Sequence, residues 1–163
     1  MFFINELQKI RNDNSGKIAV FIDMDGVVAD YRFGEGKNIE NNVPGTYLNK
    51  RPISTSINIL KEVNNAFDFD MYILSSCRHD EQAIEKSKWL EKYMPFIDKK
   101  HQLFVVSNTF EDRKMLKINK IKEIMENKYD KVIMIDDTHD ILFLAIKKLC
   151  DKVIPYHVIT LFD

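Results

Sequence analysis

The sequence predicts a doubly wound α/β architecture, a parallel sheet with helices on both faces and a small lid inserted after the first strand. Three observations carry that reading. Four short apolar, β-branched runs recur at residues 18–22, 71–74, 103–106 and 132–135, with a weaker fifth at 152–155 that residues 156–161 extend. Such continuous runs suit strands buried on both faces. Helical stripes separate them: Ile57, Leu60, Val63 and Phe67; Ile84, Trp89-Leu90 and Tyr93; Ile118, Ile121 and Ile124-Met125; Ile141, Leu142, Leu144-Ala145 and Leu149. Finally, each strand run ends in small or acidic polar residues, namely Asp23, Ser75-Ser76, Ser107-Asn108 and Asp136-Asp137. In open α/β sheets ligands bind beyond the carboxyl ends of the strands, so the polar residues collect where a site belongs.

Taken in order, Phe3, Leu7 and Ile10 mark one face of an opening helix, and Met1-Phe2-Phe3-Ile4 is too short for the core of a signal peptide. The first strand follows. The helix–strand rhythm then breaks over 31–54, which holds Gly34, Gly36, Asn38, Asn41-Asn42, Pro44-Gly45, Asn49 and Pro52. A loop of that length in a compact domain is a lid or a linker. The lid reading rests on Tyr31, Phe33, Tyr47 and Arg51, side chains able to touch a ligand. The whole reads as one domain over 1–163 with a cap or lid inserted at about 31–70.

The 163 residues carry 24 basic and 25 acidic side chains, a formal charge of −1. That balance gives no pull toward a nucleic-acid polymer or a membrane surface, and no apolar run is long enough to span a bilayer. Cys77 and Cys150 stand apart without metal-ligand spacing and read as reduced thiols of a cytoplasmic protein, Cys77 as a small buried filler. The sequence leaves the oligomeric state open.

Chemistry concentrates in Asp23-Met24-Asp25-Gly26. Strand side chains alternate, so Asp23 and Asp25 are expected on one side with Met24 opposed. Two like charges that close need a cation, a shared proton or a fixed positive group. The pair therefore reads as a hard-metal site with a carboxylate free for nucleophilic or acid/base work, or, more plainly, as an Asp-rich turn at a strand end.

The ordered set of Asp23-Met24-Asp25-Gly26-Val27, Ser75-Ser76, a lysine-bearing segment, and Ile133-Met134-Ile135-Asp136-Asp137 resembles the haloacid dehalogenase-like superfamily of phosphohydrolases, over about residues 17–149. Within it, Asp-Met-Asp-Gly-Val-Val-Ala-Asp, the serine pair and Lys88-Trp89-Leu90-Glu91-Lys92-Tyr93 are similar to the 5′(3′)-deoxyribonucleotidase-like branch. The resemblance implies a HAD-type, Rossmann-like fold and a Mg²⁺-dependent phosphatase acting on a small phosphomonoester, with nucleoside monophosphates favoured. It makes Asp23 the nucleophile, forming an aspartyl-phosphate, and Asp25 the acid/base, work that favours a raised pKa. Asp23, Asp136 and the Asp25 carbonyl would hold Mg²⁺. Ser75 would bind a phosphoryl oxygen, with Ser76 or nearby backbone N–H groups as second donors. Lys114 is the chosen cation, with Arg113 and Lys117 as alternatives.

Around that set the residues read in two ways. Asp137 and Asp140 either flank the metal or cap the final helix, and His139 is either a ligand or a first-turn residue. Arg78 and His79 either face substrate or pair with Asp80 or Glu81. Tyr31 and Phe33 either stack on a base or pack the lid, while Trp89 reads as a core anchor. Dehalogenation is disfavoured by Asp25, which the resemblance links to phosphate chemistry. A receiver-type switch is disfavoured by Ser107-Asn108-Thr109, where its phosphoacceptor Asp would stand. A non-catalytic phosphate or nucleotide sensor on the same scaffold is the alternative function.

Overall fold

The computed structural model describes residues 2–33 and 44–163. In chain order they form α1 (Phe2–Asp13), β1 (Ile18–Ile22), β2 (Ala29–Phe33), β3 (Lys50–Pro52), α2 (Ser54–Ala66), β4 (Asp70–Cys77), α3 (Asp80–Tyr93), β5 (Gln102–Val106), α4 (Phe110–Met125), β6 (Lys131–Asp136), α5 (His139–Leu149) and β7 (Val153–His157). Five strands make one sheet in the order β5-β4-β1-β6-β7, every neighbouring pair parallel. The run expected to extend β7 instead turns into a 3₁₀ helix at Val158–Phe162.

β1 is buried along its whole length, and its pleat explains both helical layers. Ile18, Val20 and Ile22 pack with Phe3 and Leu7 of α1, Ile57, Leu60 and Val63 of α2, and Trp89 and Leu90 of α3. Ala19 and Phe21 face the other way, toward Ile118 and Ile121 of α4 and Ile141, Leu142 and Ala145 of α5. From β1 the chain builds outward first through β4 and β5, then on the opposite side through β6 and β7. The strand order therefore reverses at β1, and that reversal opens a crevice at the strand's carboxyl end.

The insertion expected at about 31–70 takes in β3 and α2. β2 and β3 form an antiparallel hairpin pairing Ala29 with Pro52 and Phe33 with Lys50. α2, by contrast, buries Ile57, Ile59, Leu60 and Val63 in the main core and belongs to the sheet's own helical layer. The strand signal was hidden because the sequence between Ala29–Phe33 and Lys50–Pro52 is crowded with Gly, Asn and Pro. Gly34, Gly36, Asn38, Asn41 and Asn42, and the side chain of Phe33, lie outside the described residues. Among the described residues no helix is long and apolar enough to cross a membrane.

Candidate active site

At the β1 tip the backbone N–H of Asp23 still donates to Ile135 of β6, at 2.9 Å. The chain then turns tightly, with the amides of Val28 and Ala29 both donating to the Met24 carbonyl. Gly26 makes the turn possible. Its φ is +78°, and a Cβ added there would run into the Asp137 carboxylate and the Tyr31 ring. A Gly26→Ala variant is expected to lose about 1–3 kcal/mol of stability from the backbone alone, read as a lower denaturation midpoint at unchanged slope.

Around this turn lies a cavity of about 180 Å³, lined in part by Asp23, Asp25, Ser76, Lys50, Arg78, Arg113 and Lys117. Tyr31, Tyr47 and Phe110 supply its aromatic wall. The two motif aspartates share the cavity, but Asp25 lies beyond the strand, so the turn and not the pleat brings them together. They face different cations.

Asp23 accepts a hydrogen bond from Lys117 Nζ at 2.6 Å, and the same ammonium donates to Asp136 at 3.0 Å. All three side chains are buried. The other Asp136 oxygen accepts from the Thr138 amide at 2.9 Å. Burial pushes Asp23 up to about 7 despite the pull of Lys117, and the nearby charges of Asp136 and Asp25 add to the rise. Burial works to lower Lys117, yet the two carboxylates outweigh it and raise that lysine above its ordinary value.

Asp25 departs from the expectation of a raised carboxyl. One of its oxygens accepts from Lys50 and the other from Lys86, at 2.5 Å for the latter. Burial alone would raise it, but the two ammonium groups win and hold it below the usual carboxylate range. Lys86 is fully buried and also donates to Ser75 Oγ and the Ser76 carbonyl, each at 2.8 Å. The two serines thus split across the strand: Ser76 lines the cavity, whereas Ser75 is buried as an acceptor for Lys86.

The lysine chosen from sequence lies elsewhere. Lys114 Nζ is 2.7 Å from Glu111 and 3.9 Å from Asp140, in the groove between α4 and α5. Helical side chains lean toward the N-terminus, so a lysine one turn below the strand tips reaches up to them. Lys117 stands at that level; Lys114, one turn earlier, reaches past it toward Glu111.

Asp137 accepts from the Tyr31 hydroxyl at 2.8 Å, and burial raises its pKa. Tyr31 therefore ties the hairpin to the acids. His139 stacks on His157 with ring centroids 4.5 Å apart, and Asp140 is exposed in the first turn of α5. His79 pairs with Glu81 at 3.0 Å, while Arg78 lines the cavity. Arg51 is exposed on β3, and Cys77 is a buried residue at the cavity wall. Trp89 is a core anchor with an added task, since its indole N–H donates to the Lys50 carbonyl at 2.9 Å. Glu85 receives the amides of Gly45 and Tyr47 at 2.6 and 3.0 Å, so α3 holds the hairpin's return strand from below.

Asp23, Asp136 and Asp137 each offer a carboxylate oxygen, all within 4.8 Å of one another. An all-oxygen, multiply acidic donor set suits a hard divalent cation. The Asp25 carboxylate is not part of that cluster, being turned to its lysines.

No protein-family model matches the sequence, and no curated protein does. Solved structures do resemble it. One belongs to the Pnkp1/Rnl/Hen1 RNA repair complex, at TM-score 0.63 and 18% identity over 89% of this chain and 44% of that one. A class C acid phosphatase from Bacillus anthracis gives 0.60 and 15%, over 97% and 78% of the two chains. A presumed haloacid dehalogenase-like hydrolase from Burkholderia xenovorans LB400 gives 0.53 and 13%, over 86% and 81%. The likeness is one of fold: this chain has the HAD-type, Rossmann-like α/β architecture. It spans under half the length of the RNA-repair chain it matches.

Proposed function

We propose that this protein is a Mg²⁺-dependent phosphatase that hydrolyses small phosphomonoesters through an aspartyl-phosphate on Asp23. The observation that carries the proposal is the Asp23–Lys117–Asp136 triad at the foot of a cation-lined cavity. The fold it shares with phosphatases supports it.

In this reading an Asp23 carboxylate oxygen attacks phosphorus and the ester P–O bond breaks; water then attacks the acyl phosphate and restores Asp23. Lys117 keeps the nucleophile in place, and Ser76 and the cavity cations hold phosphoryl oxygens. Asp23, Asp136 and Asp137 would hold Mg²⁺, which when bound neutralises charge between the anionic carboxylate and the anionic phosphoryl group. Asp25 handles the proton, giving one to the leaving alcohol and taking one from the hydrolytic water. Because two ammonium groups hold it ionised, taking up the first proton is its costly step. Esters with acidic leaving groups are therefore expected to turn over fastest.

Nucleoside and deoxynucleoside monophosphates are the favoured substrates. That preference rests on the sequence's similarity to the deoxyribonucleotidase-like branch and on the rings of Tyr31, Tyr47 and Phe110 at the cavity, surfaces suited to a base. The hairpin acts as lid to a single domain. The test is phosphate release from purine and pyrimidine 5′- and 3′-monophosphates, sugar phosphates and p-nitrophenyl phosphate, with Mg²⁺ and with EDTA. Release is expected with Mg²⁺, fastest for p-nitrophenyl phosphate and, among metabolites, for the nucleotides. A folded, metal-loaded protein silent on every ester would favour a phosphate sensor.

A further inference from the structure

Two lysines hold Asp25 and both lie over the Tyr47 ring, but they differ in their oxygen acceptors and in what they face. Lys86 spends its three N–H groups on three oxygens, those of Asp25, Ser75 and Ser76. Lys50 is as deeply buried, 3% exposed, yet among the described residues its ammonium meets a single oxygen acceptor, on Asp25. Its other neighbours are aromatic faces, the Tyr47 ring at 4.5 Å and the Tyr31 ring at 5.5 Å. Those faces attract the charge without accepting its hydrogen bonds as an oxygen would. A buried ammonium has three protons to place, and leaving them without acceptors is costly. Unlike Lys86, Lys50 opens into the cavity.

The position is also built. The Lys50 backbone is pinned by Trp89, and the residues just before it by Glu85, so the hairpin presents this side chain from a fixed point on α3. Nothing in the α/β scaffold requires a lysine here, because Lys86 already neutralises Asp25 from below.

We infer that Lys50 is a substrate-binding residue: its unfilled N–H groups receive oxygens of the phosphoryl ester on the side of Asp25, where the leaving group departs. The inference rests on the phosphatase reading of the same cavity. It makes the hairpin a contributor of a substrate ligand and selects substrates with an anionic or oxygen-rich group next to the scissile bond. Tyr31 and Tyr47 flank that ligand and fix its approach.

The test is isothermal titration of inorganic phosphate into the 163-residue protein with Mg²⁺, for wild type and Lys50→Met, beside KM and kcat on p-nitrophenyl phosphate. Lys50→Met is expected to weaken phosphate binding at least tenfold and raise KM by a similar factor. Lys50→Arg, which keeps charge and donors, is expected to stay within threefold of wild type. Should Lys50→Met fail to fold, Lys50→Gln repeats the measurement without the charge. Unchanged phosphate affinity and KM in the neutral variants, with only kcat reduced, would overturn the inference and leave Lys50 as a support for Asp25. Failure of the phosphatase reading looks different: phosphate binds and depends on Lys50, while no ester is turned over by wild type. A wild-type protein that binds no phosphate overturns both.

Discussion

An Asp23→Asn variant is expected to lose phosphate release by on the order of 10³-fold or more while keeping its fold. The amide is nearly isosteric with the carboxylate but cannot form the acyl phosphate, and Lys117 keeps its bond to Asp136. The same substitution carries a pH signature in metal-free protein. Burial raises the folded Asp23 to about 7, above its value in the unfolded chain. Between roughly pH 4 and 7 the native state therefore binds more protons than the unfolded state at this group, so its contribution to stability falls as pH rises. Denaturation of wild type and Asp23→Asn in EDTA at pH 5 and pH 7 isolates that component. The wild type should lose more stability between the two pH values than the variant.

Lys117→Met has the largest expected effect on stability. It leaves Asp23 and Asp136 buried and facing each other with no cation between them, and breaking a buried ion pair from one side costs about 3–5 kcal/mol. Mg²⁺ should recover part of that loss by binding the native state alone. Turnover should fall by roughly 10²–10³-fold, the usual effect of removing one fixed positive or hydrogen-bonding group from a reacting centre. Lys114→Met is the control, since its partner Glu111 is largely exposed and such pairs contribute about 0.2–1 kcal/mol. Thermal melts of the two variants with and without Mg²⁺ check the contrast. Equal melting shifts would contradict the roles given to the two lysines.

The sheet was legible in the sequence because its strands are buried on both faces and so read as continuous apolar runs. The carboxyl-end polar residues were legible for the same reason, as interruptions of those runs. What escaped were contacts that cross between elements. Lys86 gave a usable signal: it lies four residues after Gln82 and three before Trp89, on the buried face of α3, where a lysine demands partners. Lys50 gave none, since a lysine among turn formers looks like any solvated loop residue. Choosing between Lys114 and Lys117 needed the height of α4 relative to the strand tips, which periodicity does not supply. Asp25's charge state was equally out of reach, being set by two lysines 25 and 61 residues along the chain.

Hydrolysis as proposed passes through a covalent phosphoryl group on Asp23. That intermediate is tested most directly by mixing the protein with Mg²⁺ and excess p-nitrophenyl phosphate, quenching during turnover, and reducing with borohydride, which converts an acyl phosphate to the alcohol. Peptide mass spectrometry should then find homoserine at position 23, in amounts that depend on substrate and Mg²⁺, and aspartate unchanged at 25, 136 and 137. Steady phosphate release with no reduction at position 23, or reduction at another aspartate, would contradict the account.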